Sequence, residues 1–154
     1  MTLNPAGYVP VFDLGTPQVI TATVNTAVAA VSGGMIAYLV SGTSAAVTSG
    51  LASVVVADFQ IAAPASGINF PVGIVVQNAV SGAVCSIALK GVFILPASTA
   101  LTAGDSLACV NGANAVDVIT SGTSMPQLDY KQRIGKALTS AASGGFVVAL
   151  VDTA

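Results

Sequence analysis

Side chains able to do acid–base, nucleophilic or metal chemistry are few in this chain. Its 154 residues include six Asp, three Lys, one Arg, two Cys and three Tyr, with no His, Glu or Trp. Without His there is no Ser-His-Asp or Cys-His nucleophile pair, and the commonest ligand of zinc and iron is missing. Paired-carboxylate catalysis would have to draw on Asp13, Asp58, Asp105, Asp117, Asp129 and Asp152. These are scattered, and none forms the Asp-x-Asp-x-Asp run of a calcium loop. Gly is frequent, yet neither Gly-x-Gly-x-x-Gly nor Gly-x-x-x-x-Gly-Lys-Ser/Thr occurs. A non-enzymatic protein with no metal or cofactor is expected. A rival reading is a small enzyme on a barrel, for example one using Asp and Lys chemistry around Lys90, and no constellation supports it.

Cys85 and Cys109 could close one mid-chain loop as a disulfide, or stand as two small buried hydrophobes. The opening Met1-Thr2-Leu3-Asn4-Pro5 lacks the basic and apolar regions of a secretion signal, and no other Cys is present. Free thiols are therefore expected.

Three of the four cations, Lys131, Arg133 and Lys136, fall in one short segment, and the formal net charge is −2. So few cations cannot displace the counterions of a duplex footprint, so no nucleic-acid partner is expected. The mean hydropathy is +0.87. Even so, the best apolar runs, Met35–Val40 and Phe146–Val151, fall far short of the roughly 20 residues of a spanning helix. No membrane partner is expected.

The elements that must position these groups read as short strands between turn signals. Residues 1–15 carry Pro5, Gly7, Pro10 and Gly15 around Tyr8, Val9, Val11 and Phe12, which opposes a helix and predicts an extended N-terminal arm. Residues 16–154 read as one β-rich domain. Val19–Val24 alternates in strand fashion, and Met35–Val40 follows the Ser32-Gly33-Gly34 break. Ala45–Asp58 has some helical spacing, but Gly50 and Val54-Val55-Val56 favour strand. Val72–Gln77, Val84–Lys90 and Val92–Leu95 are further strands, with Gly91 marking a bulge or a close backbone approach. Ser98–Ala103 reads as a single helical turn. Ser106–Val110 and Val116–Ile119 flank the hairpin signal Asn111-Gly112. Ser121–Gln127 is a loop, and Ile134–Leu138 and Phe146–Val151 are the last strands. About ten short strands at this spacing predict an all-β chain, a small barrel or sandwich-like body.

Charged residues make up 6% of the chain, against about a quarter in a typical soluble domain. Its exposed surface must be mainly Ser, Thr, Gly and Ala, or a large part of it must be covered by a partner. Self-association or docking on a large assembly is expected.

From Phe70 the chain runs Phe-Pro-Val-Gly-Ile-Val-Val-Gln-Asn-Ala-Val-Ser-Gly-Ala-Val-Cys-Ser-Ile-Ala-Leu-Lys-Gly-Val-Phe-Ile-Leu-Pro. Ala-Leu-Thr-Ala-Gly-Asp-Ser-Leu follows from Ala100, Arg-Ile-Gly-Lys-Ala-Leu from Arg133, and Ala-Ser-Gly-Gly-Phe-Val-Val-Ala-Leu from Ala142. This ordered set resembles the tailed-phage capsid cement, or head decoration, proteins. Gly73, Gly82, Gly91, Val92, Phe93, Leu95, Pro96, Gly104, Asp105, Ile134, Gly135 and Ala137 occupy the matching positions. The chain departs from the pattern at Leu107 and Cys109, where an aromatic is usual, and in extra residues among its early strands. The resemblance implies a β-rich body on the outside of a mature head, bridging major capsid protein subunits. It also implies self-association, as a homotrimer or else a dimer, and a place on the virion's outer capsid surface after synthesis in the host cytoplasm.

Within that frame Tyr8, Val9, Val11 and Phe12 are candidates for a capsid-binding arm that adds a strand to a sheet edge; the alternative is a terminal strand of the domain itself. Lys131, Arg133 and Lys136 are candidates for contact with an acidic capsid surface; the alternative is a strand edge guarded by Lys. Asp105 is expected to stabilise its own turn. A rival function is a glycan- or receptor-binding β-module on a virion or cell surface, although Trp is absent and aromatics are 5% of the chain.

Overall fold

The computed structural model describes residues 18–27, 30–40, 60–62, 70–119 and 132–153. Among them are twelve strands and no helix: β1 (Val19–Val24), β2 (Ala30–Val31), β3 (Ile36–Leu39), β4 (Gln60–Ala62), β5 (Pro71–Val75), β6 (Ala79–Val80), β7 (Val84–Ala88), β8 (Lys90–Pro96), β9 (Ser106–Cys109), β10 (Val116–Val118), β11 (Arg133–Ala137) and β12 (Phe146–Asp152). The expected arm at 1–15 and the expected strand at Ala45–Asp58 lie outside the described residues.

The strands form two bodies. β1, β4, β3, β5 and β7 close into a five-stranded barrel. Its longest ladder is antiparallel β1–β7, running from Val19 opposite Ala88 to Thr23 opposite Val84. The second body is an antiparallel sheet in the order β10-β9-β11-β12-β8. Its β8–β12 ladder pairs seven residues, from Phe146 opposite Pro96 to Asp152 opposite Lys90. A parallel bridge between Ala97 and Val116 curls this sheet back on itself. The ribbon β2–β6 stands beside the barrel.

Residue parity explains how the bodies share a core. Ala22, Val24, Ala37, Ile61, Val75, Cys85 and Ile87 point into the barrel. On the opposite parity of the same strands, Ile36, Tyr38, Ile74 and Ala88 pack with Phe93, Leu95, Leu107, Cys109, Ile134, Val147, Ala149 and Val151 of the second sheet. β3, β5 and the end of β7 are thus covered on both faces. That is why Pro71–Val76 reads as a continuous apolar run instead of an alternating one.

The two bodies meet where β7 becomes β8. Gly91 adopts φ 148°, and a Cβ there would sit 2.9 Å from the Phe93 ring, so the joint needs Gly. The Thr153 hydroxyl donates to the carbonyls of Val72 (2.6 Å) and Leu89 (3.1 Å), tying the C-terminal strand to this corner. A second tie is the Ile36 N–H, which donates to the Asn114 side-chain oxygen at 2.9 Å.

Of three local expectations, one is overturned, one is refined and one holds. Ser98–Ala103 is not a helical turn: Leu101 bridges Ala141, and that pairing satisfies the backbone groups a helical turn would have used. The Asn111-Gly112 hairpin exists, but its loop extends from Val110 to Ala115, whose backbones pair at 3.0 Å. Asp105 does hold its turn, accepting the Thr102 N–H at 2.8 Å.

Candidate docking face

Both cysteines are free and buried, Cys85 inside the barrel and Cys109 in the shared core. Burial pushes the Cys85 thiol up and the Cys109 thiol up to about 12, the latter partly offset by Tyr38. Burial, and secondarily Cys109, raises Tyr38 far above the usual phenol range. The Tyr38 hydroxyl neighbours this thiol and has no hydrogen-bond partner among the described residues. Protonated buried thiols are poor nucleophiles. Lys90 sits 3.5 Å from Asp152, each about half exposed, an ordinary surface pair. Among the described residues no three His, Cys, Asp or Glu side chains gather as a metal cluster.

Interaction surface is the better use of this molecule. On the second sheet the parity that buries Val147, Ala149 and Val151 turns Phe146, Val148, Leu150 and Asp152 outward. On one side β8 sets Ile94 beside Val148 and Pro96 beside Phe146. On the other, β11 sets Lys136 beside Leu150, and Leu138 follows beside Val148. Phe146 is 68% exposed, Leu138 47%, Ile94 40% and Leu150 38%. Together they form a contiguous apolar ridge, which soluble surfaces usually keep small.

The cations lie at the other end of the same face. The β9–β11 register slips between Arg133 and Gly135, so Ile134 is an extra residue in the ladder. Ile134 is buried, while Arg133 and Lys136 both point outward. Without that bulge a spacing of three would put the two cations on opposite faces. Gly135 makes it possible, because a Cβ there would overlap the Leu150 carbonyl oxygen. Neither cation forms an ion pair among the described residues. Asp117, on β10 at the far edge, is half-buried and occupied, accepting from the Thr99 hydroxyl and its neighbour's N–H at Val118.

Of the candidates read from the sequence, the structure therefore brings Arg133 and Lys136 together. Tyr8, Val9, Val11, Phe12 and Lys131 lie outside the described residues. Ile94, Leu138, Phe146 and Leu150 belong to no motif. Their signal is that β12 is apolar on both parities while the shared core covers only one.

The sequence profile of the family described as phage cement protein matches residues 15–152. The chain belongs to that family, and is a capsid-associated structural protein of the phage virion. Its fold is similar to that of the N base of head fiber gp8.5 from bacteriophage phi29, with a TM-score of 0.53 and 14% identity over 90% of this chain and 97% of that one. No curated protein sequence matches.

Proposed function

We propose that this phage cement protein binds the outer surface of the major capsid protein lattice and stabilises the mature head without catalysing a reaction. The observation that carries this reading is the family match, which spans nearly the whole chain. Composition supports it: a cement needs broad shallow contacts, and a modest contact repeated around a shell gains avidity. The charge-poor chain suits contacts that lose little strength as salt rises. The working assembly is a homotrimer, with a dimer as the rival stoichiometry, made in the host cytoplasm and ending on the virion's outer surface. Residues 1–15, with Tyr8, Val9, Val11 and Phe12, serve as an arm that pairs with a capsid strand, beside the β-rich body of residues 16–154. Lys131, Arg133 and Lys136 contribute cationic contacts.

Co-sedimentation with empty shells of the partner major capsid protein tests this. Saturable binding at a fixed copy number per capsid subunit is the expected result, and the ratio reports the symmetry position. Absence of binding to both immature and expanded shells contradicts the reading. Deleting residues 1–15 is expected to weaken binding while the body stays folded; unchanged binding removes the arm from the mechanism.

A further inference from the structure

We propose that the outer face of β8, β11 and β12 is the surface that meets the capsid, and that its partner is an apolar ledge edged by carboxylates. This assignment rests on the cement reading and adds the orientation and the partner chemistry.

The face is graded along its strands. One end is the ridge of Ile94, Leu138 and Phe146. Toward the other end lie Lys90, paired with Asp152, and Arg133 and Lys136, unpaired among the described residues. Asp117 lies two strands beyond Arg133 on the same side of the sheet, which makes three cations to two anions on a chain of net charge −2. An apolar area of this kind gains by being covered, and the adjoining cations select a partner with anionic groups at one side.

A second copy of the same face fits poorly. A face-to-face two-fold along the strands brings the two cationic ends together, where Asp152 is the one carboxylate that β8, β11 and β12 supply. A two-fold across the strands sets the cationic end against the apolar ridge. Either arrangement takes more cations than carboxylates out of water, which is costly. A capsid surface with carboxylates beside an apolar ledge satisfies both ends at once.

The test compares shell binding of the full chain with that of three variants: Phe146→Ser, the double Arg133→Glu/Lys136→Glu, and Val84→Ser, which lies on the barrel's exposed side. Circular dichroism confirms that each is folded, and sedimentation velocity gives the mass of each unbound protein. Phe146→Ser and the double charge reversal are each expected to weaken shell binding about tenfold or more. The charge-reversal defect is expected to shrink as salt rises, the Phe146→Ser defect to persist, and Val84→Ser to bind within about twofold of the parent. Unchanged mass in the variants is part of the expected result. If the parent binds shells and both face variants bind equally well, the face assignment falls and the cement reading survives. If Phe146→Ser instead breaks the unbound oligomer, the face joins copies and the assignment is overturned. A parent that binds no shell overturns the cement reading and this assignment with it.

Discussion

The barrel and the second sheet are built from the same kinds of apolar residue, yet they divide the charges unequally. Every charged residue among those described, Lys90, Asp105, Asp117, Arg133, Lys136 and Asp152, belongs to the second sheet or its loops. The described barrel and ribbon carry none. Barrel strands β3 and β5 are buried on both faces, and their polar needs are met by backbone pairing. The second sheet buries one face in the shared core; on the other, Val92 and Ala108 are covered while the apolar ridge and the cationic end stay exposed. Both bodies expose large apolar side chains, Val19, Val80 and Val84 on the barrel and ribbon and Ile94, Leu138 and Phe146 on the second sheet, but among the described residues only the second sheet combines them with charge. The shared core of Ile36, Tyr38 and Ile74 against Leu95, Leu107 and Ile134 makes them one unit.

The strongest way to break this comparison is Gly135→Val. It drives a side chain into the Leu150 carbonyl, and should cost about 4 kcal/mol or more or abolish folding. Measured by thermal melting, loss of the second sheet is expected to take the barrel with it. A surviving barrel transition would show that the bodies fold separately. Ile74→Ala approaches the same question from the barrel side. Ile74 is fully buried in the shared core, so the loss should be about 3 kcal/mol in a single denaturant transition; two transitions would count against a common core.

Alkaline pH sharpens the comparison further. Cys109 is raised from 9.0 to about 12 by burial, so the unfolded chain loses this proton first. The associated stability is fully present below about pH 9 and is lost as pH rises toward 12. Urea midpoints should fall across that window, and fall less in Cys109→Ala relative to its own neutral-pH value. The smallest effect is expected from Tyr38→Phe. Removing an unsatisfied buried hydroxyl should leave stability unchanged or raise it by about 1 kcal/mol. A clear fall in melting temperature would mean that the Tyr38 hydroxyl does bond the neighbouring Cys109 thiol.

Much of the fold is legible in the sequence from Val72 onward, because Ser81-Gly82, Pro96, Gly104-Asp105 and Ser143-Gly144-Gly145 punctuate strands whose lengths then follow. The all-β class, the free thiols and the turn role of Asp105 come from local chemistry and reappear in three dimensions. The two-residue strands β2 and β6 and the three-residue β4 are too short to leave a period, and exist because tertiary neighbours pair them. The docking face escapes sequence reading for a related reason. In Phe146–Val151 both parities are apolar, and only the packing of β3 and β5 beneath the second sheet decides which parity is covered. The common outward direction of Arg133 and Lys136 depends on one extra residue in a ladder, which residue spacing does not reveal.

The most direct measurement is an electron cryomicroscopy reconstruction of shells of the partner major capsid protein saturated with this protein. The account predicts extra density on the outer surface at fixed lattice positions, with β8, β11 and β12 turned toward the capsid and the barrel turned away. Shells that stay bare at saturating protein would contradict the cement function, and density with the barrel against the shell would contradict the orientation.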